Sequence, residues 1–172
     1  MRLTRTAVAT AAAAAAVVAT ITAAPPASAA TSYVHNDCTS TDTSHPTHCF
    51  RIQFNSRSET TQQSDSGCLA TRHSRSNDDG YSPNGASFIT FVFGAFPSDA
   101  YGGMPTPCDA RGSGQGVYHH AASAWNQDPY AGYTVYANTG YSGTSKYYPK
   151  ADGIARNLSS GLKNHNGSHK RS

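Results

Sequence analysis

The sequence predicts an all-β protein, and two observations carry that reading. Ser, Thr, Asn and Gly make up 57 of the 143 residues after position 29, and these types favour turns and strand edges. The apolar positions are mostly aromatic or β-branched, whereas the strong helix formers Leu, Met, Glu and Lys are scarce.

The first 29 residues stand apart. Arg2 and Arg5 precede an uncharged Ala- and Val-rich run from Thr6 to Ala24. Pro25 and Pro26 stop any helix, and Ala27-Ser28-Ala29 supplies the small residues of a cleavage site. The pattern predicts a signal peptide over 1–29 and a secreted, extracellular domain over 30–172. A membrane anchor fits less well, because Thr6, Thr10, Thr20 and Thr22 dilute the run. No later stretch is long and apolar enough to cross a bilayer. Without the leader, 11 Lys and Arg face 10 Asp and Glu. A charge so near zero argues against nucleic acid as partner, since phosphate neutralisation needs clustered cations.

Export decides how the cysteines are read. An even number in a small secreted chain favours disulfides over thiols or zinc, although His45-Pro46-Thr47-His48-Cys49 could hold a soft metal. Several pairings are open to four cysteines. The expected one is Cys38–Cys49, closing a short polar loop, with Cys68–Cys108 tying down an irregular middle.

Strands are expected in four places. Cys49 to Phe54 alternates with Phe50, Ile52 and Phe54 on one face, the mark of a half-buried strand. Ala86 to Phe93 is more continuously apolar and reads as buried on both faces. Ala131 to Ala137 alternates Tyr133, Val135 and Ala137, and Gly116-Val117-Tyr118 is a short fourth strand. Ala121 to Trp125 and Ile154 to Leu162 have mild helical character. The polar runs Ser56 to Ser66 and Arg72 to Asn84 have little to bury and read as solvated loops. Phe96 to Gly116, rich in Gly and Pro, reads as a long loop tethered by Cys108 or used for interaction. The tail His169-Lys170-Arg171 reads as frayed.

An internal repeat runs through these elements. Phe50-Arg51-Ile52-Gln53-Phe54-Asn55-Ser56 aligns with Tyr133-Thr134-Val135-Tyr136-Ala137-Asn138-Thr139, and Gly116 to Ser123 aligns with Gly161 to Ser168. Two repeats in the same order follow, one over about 38–126 with a long insertion and one over about 130–170.

Val135-Tyr136-Ala137-Asn138-Thr139-Gly140-Tyr141-Ser142-Gly143 resembles the folded-hairpin signature of βγ-crystallin Greek keys. In that resemblance Gly140 takes a positive φ that a Cβ would oppose, and the hairpin folds over beneath Tyr136. Asn157-Leu158 and Ser168 resemble later landmarks, the serine bonding back to the hairpin. The first repeat lacks the Gly-aromatic-x-Gly element after Asn55. The resemblance implies a β-sandwich of two crystallin-like Greek-key repeats, with Tyr136, Gly140, Tyr141, Gly143, Ser168 and Ser123 as structural residues. The signal peptide, the Cys38-to-Cys49 loop and the Gly116-to-Asn126 block resemble secreted bacterial proteins of the Streptomyces metalloproteinase-inhibitor type.

Catalytic motifs are missing: no GxSxG elbow, no HExxH helix and no P-loop. His119-His120 with Ser123 lies on too short a turn for a proton-transfer dyad. The chain therefore reads as no enzyme and needs no cofactor. Calcium, which many βγ-crystallin repeats bind, would have at most a weak site at Asn164 and Ser168. His165 and His169 stand where that motif has Asn or Asp and Ser, and calcium wants hard oxygen ligands. Trp125 is expected in the core between the repeats. The crowded tyrosines of the second repeat (130, 133, 136, 141, 147 and 148) include framework residues and a recognition face.

What the resemblance implies for function is a monomeric, secreted inhibitor of extracellular metallopeptidases, acting through a disulfide-tethered loop around Cys68 or Pro105-Thr106-Pro107-Cys108. A second expectation, of another class, is a non-enzymatic extracellular or cell-surface β module, calcium-responsive or antimicrobial.

Overall fold

A computed structural model describes residues 30–38, 48–60, 64–95 and 108–172. The expected signal peptide, Pro105-Thr106-Pro107 and most of the His45-to-Cys49 motif lie outside the described residues. Among those described, eleven strands and no α-helix are present. They are β1 (Ala30–Val34), β2 (Asn36–Asp37), β3 (Phe50–Gln53), β4 (Cys68–Thr71), β5 (Gly80–Tyr81), β6 (Ser87–Phe91), β7 (Ser123–Asn126), β8 (Tyr133–Asn138), β9 (Ser142–Tyr148), β10 (Arg156–Asn157) and β11 (Ser168–Arg171).

Three sheets form, in the orders β1-β6-β5, β10-β7-β3-β4-β2 and β11-β8-β9. One plan of pairing recurs in the last two. β3 lies between β4 and β7, and β8 lies between β9 and β11, all antiparallel. Each half also lends a piece to the other. β10 pairs with β7 of the first half, and Arg75 of the first half bridges His169 of β11. One core results, with Phe50, Ile52, Leu69, Phe91 and Phe93 packed against Tyr133, Val135, Tyr148, Leu158 and Leu162. Phe50 stacks on Tyr133 with ring centres 4.3 Å apart.

β3 is buried on both faces, not one. Its Phe50 and Ile52 face the shared core. Arg51 and Gln53 face the other way, beside their cross-strand partners Ala70, Trp125, Cys68 and Ser123. That back face is covered because both disulfides sit there: Cys38–Cys49 and Cys68–Cys108 cluster with Ala70. The Arg51 guanidinium lies 5.2 Å over the Trp125 ring, a cation–π contact, and burial pushes it down to about 10.

Several expectations change. Ala121 to Trp125 forms no helix, because residues 123–126 extend between β3 and β10 and gain ladder bonds on both edges. Ile154 to Leu162 holds turns and β10. Gly116-Val117-Tyr118 contributes only an isolated bridge, Val92 to Gly116. Ala86 to Phe93 gives β6, half-buried at Ser87 to Thr90 rather than covered on both faces, since its partners β1 and β5 form a small outer sheet. Arg72 to Asn84 is not simply solvated, for it carries β5 and a fully buried Asp78. Ser56 to Ser66 likewise includes buried Ser64 and Ser66, which bond each other and the Asn55 backbone. The tail is a paired strand: His169 is buried, and Arg171 Nε donates to the buried Asp128 carboxylate at 3.0 Å.

Candidate functional site

Two turns, at His119 and at Asn164, exchange backbone hydrogen bonds with each other's flanking residues. His119 and Asn164, aligned in the two halves, both adopt left-handed backbone, φ 60° and 57°. Non-glycine residues rarely hold that conformation, and tertiary bonds stabilise it here. His119 N donates to Asn166 O at 2.9 Å, and Asn164 N donates to Ala121 O at 2.7 Å. The aligned serines also match: Ser168 Oγ donates to Asn138 O at 2.6 Å, and Ser123 Oγ to Asn55 O at 2.7 Å. Ser168 Oγ in turn accepts from Tyr141 N at 3.1 Å.

The hairpin that Ser168 holds turns at Gly140 (φ 69°), Tyr141 (φ 61°) and Gly143 (φ 80°). A Cβ at Gly143 would also meet Asn138 Nδ2 at 2.7 Å, so that amide would have to shift in addition to the strain of the positive φ. Tyr136 and Tyr141 sit with ring centres 6.0 Å apart, and Gly140 N donates to Ser76 O of the other half at 2.7 Å. Trp125 is buried, as expected of a core residue, but on the back face with Arg51.

Asp78, Asn166 and His169 form a buried polar knot that the sequence did not announce. His169 Nδ1 donates to Asp78 Oδ1 at 2.7 Å, Asn166 Nδ2 donates to Asp78 Oδ2 at 3.0 Å, and all three residues are fully buried. His119, half-buried nearby, stacks on Tyr118 at 3.8 Å. Its pKa is lowered, first by burial and then by the neighbouring His165 and His120.

The calcium donor set does not fit. Asn164 lines a cleft with Phe54, Asn55, Ser56, Ala122 and the cation Lys163, and no carboxylate is among them. The Ser168 hydroxyl is buried and already both donates and accepts within the hairpin. Nor do His119, His120 and Ser123 converge. Ser123 Oγ is buried against Gln53 and Asn55, while His120 Nδ1 bonds the Tyr118 carbonyl at the surface.

A second feature lies at the back face. The cysteines form the expected pairs, with Cα atoms 6.1 Å apart in Cys38–Cys49 and 5.7 Å in Cys68–Cys108. Cys68 exchanges both backbone hydrogen bonds with Gly94, each 3.0 Å. Gly94 and Cys108 are therefore both fixed to one buried residue. Asp109 N to Ser66 O, 3.0 Å, and Gly67 N to Arg111 O, 2.7 Å, hold the residues that follow Cys108.

Compared with protein-family models, curated proteins and solved structures, the chain matches none.

Proposed function

We propose that this protein is a secreted, non-enzymatic inhibitor of extracellular metallopeptidases, built on a βγ-crystallin-like pair of Greek-key repeats. The observation that carries the reading is that Gly94 and Cys108 are both fixed to the buried Cys68, the first by backbone pairing and the second by a disulfide. A loop rooted at both ends on a buried strand loses less conformational entropy on entering a cleft than a free one does.

The repeat reading is supported by the recurrent strand plan, the exchanged pieces Arg75 and β10, and the matching serine bonds at 123 and 168. The calcium-responsive module is disfavoured by a donor set without carboxylates and with Lys163 beside it.

The test is a titration of a thermolysin-like metallopeptidase with oxidised protein comprising residues 30–172. Stoichiometric loss of turnover, abolished when Cys68 and Cys108 are both replaced by Ala, is the expected result. Full turnover at molar excess of oxidised protein sinks the reading.

A further inference from the structure

Three cations meet in a cleft on the edge of the molecule. Arg57 comes from the turn that follows β3, Lys146 from β9 and Arg156 from β10, and with Asn157 they line a space of about 250 Å³. Backbone and ring contacts, not countercharges, hold the first two in place. Arg57 N donates to Asn157 Oδ1 at 2.6 Å and its Nη1 to Ala155 O at 3.2 Å. Lys146 Nζ donates to Asn157 O at 2.6 Å and lies 5.7 Å over the Tyr148 ring.

Among the described residues, Arg156 alone of the three meets a carboxylate. Its Nε and Nη2 donate to Asp152 at 2.5 and 2.8 Å. Among the described residues neither Arg57 nor Lys146 has an ion-pair partner. The cleft thus holds two positive charges in excess of its one acid. The side-chain acceptor on its wall, Asn157 Oδ1, is already engaged by Arg57 N. Burial first, and the nearby Arg156 second, lower the pKa of Lys146.

We propose that this cleft is a binding site for one sulfate or phosphate group, free or carried as an ester. Two uncompensated charges match a dianion. The unengaged guanidinium and ammonium N–H groups supply charge-assisted donors to a tetrahedral oxyanion. Sequence-wide charge near neutrality is no obstacle, since one discrete group, not a polyanion, is accommodated. The inference stands independently of the inhibitory reading.

The test follows amide and lysine side-chain NMR signals while sodium sulfate or inorganic phosphate replaces sodium chloride at constant ionic strength. A parallel arm uses glucosamine 6-sulfate. Saturable shifts confined to Arg57, Lys146, Arg156 and Asn157 are expected, with the Lys146 ammonium pKa rising as the site fills. Lys146→Gln should weaken binding about tenfold. Lys150→Gln, at an exposed lysine outside the cleft, should leave it unchanged. Tighter binding of the sugar sulfate assigns the ester as the preferred source, and equal binding assigns the free ion. Shifts that fail to saturate with all three probes, or an unmoved Lys146 pKa in the unaltered protein, overturn the proposal. The pKa readout needs no variant, so a folding defect in Lys146→Gln does not blunt it.

Discussion

Replacing Asp78 by Ala removes the acceptor at the centre of the buried knot. The carboxylate accepts from His169 Nδ1 at 2.7 Å and Asn166 Nδ2 at 3.0 Å, while its own backbone N donates to Gly167 O at 2.9 Å. Both side-chain partners are fully buried, so neither donor can turn to water once the carboxylate is gone. Asn166 keeps a second acceptor in Val117 O at 2.9 Å, but His169 loses the partner of its Nδ1. Leaving buried donors without their acceptor, with a cavity where the carboxylate stood, costs about 2–4 kcal/mol. For a domain of this size that lowers the melting temperature by roughly 10 °C. Asp78→Asn is milder but not silent. Both facing groups donate, and an amide presents one acceptor and one donor, so one bond becomes a donor–donor contact at about 1–3 kcal/mol. Urea unfolding at neutral pH, with the m-value checked for constancy, measures both variants. An Asp78→Ala protein within about 1 kcal/mol of the parent would refute the reasoning, because that site would then be open to water or not load the knot.

The remaining predictions concern the buried phenols and the serine bonds. Burial raises the pKa of Tyr133, helped by the Asp128 carboxylate, and burial raises that of Tyr148. Folded pKa values above the unfolded one mean that this stability is complete below about pH 10 and is lost as pH climbs past it, at about 1.4 kcal/mol per pH unit for each phenol. Among the described residues Tyr148 Oη has no hydrogen-bond partner. Tyr148→Phe should therefore leave neutral-pH stability equal or higher and reduce the loss of stability above about pH 10 by about 1.4 kcal/mol per pH unit in pH-dependent unfolding, and an undiminished loss counts against the assignment. Ser168→Ala should cost about 1–3 kcal/mol and speed hydrogen exchange at the Tyr141 amide. Ser123→Ala, similar in cost, should leave that amide's protection intact.

What the sequence determined by itself is what neighbouring residues encode. The all-β class, β3 and β8 were legible because period-2 alternation at Phe50, Ile52, Tyr133 and Val135 is a local signal. The cysteines form the expected pairing out of the several open to them, and the alignment of Asn55 with Asn138 and of Ser123 with Ser168 is matched by a serine-to-carbonyl bond in each stretch. What the tertiary structure decided is which surfaces cover one another. The polar run from Arg72 to Asn84 read as solvated because the His169 that buries Asp78 lies 91 residues away. The short strand β10 has no periodicity of its own and exists because β7 offers an open edge. Arg57, Lys146 and Arg156 look like scattered surface charges until strand exchange brings them to one cleft. A side chain's pattern records whether it alternates with its neighbours, but burial and charge balance depend on partners that only the folded chain supplies.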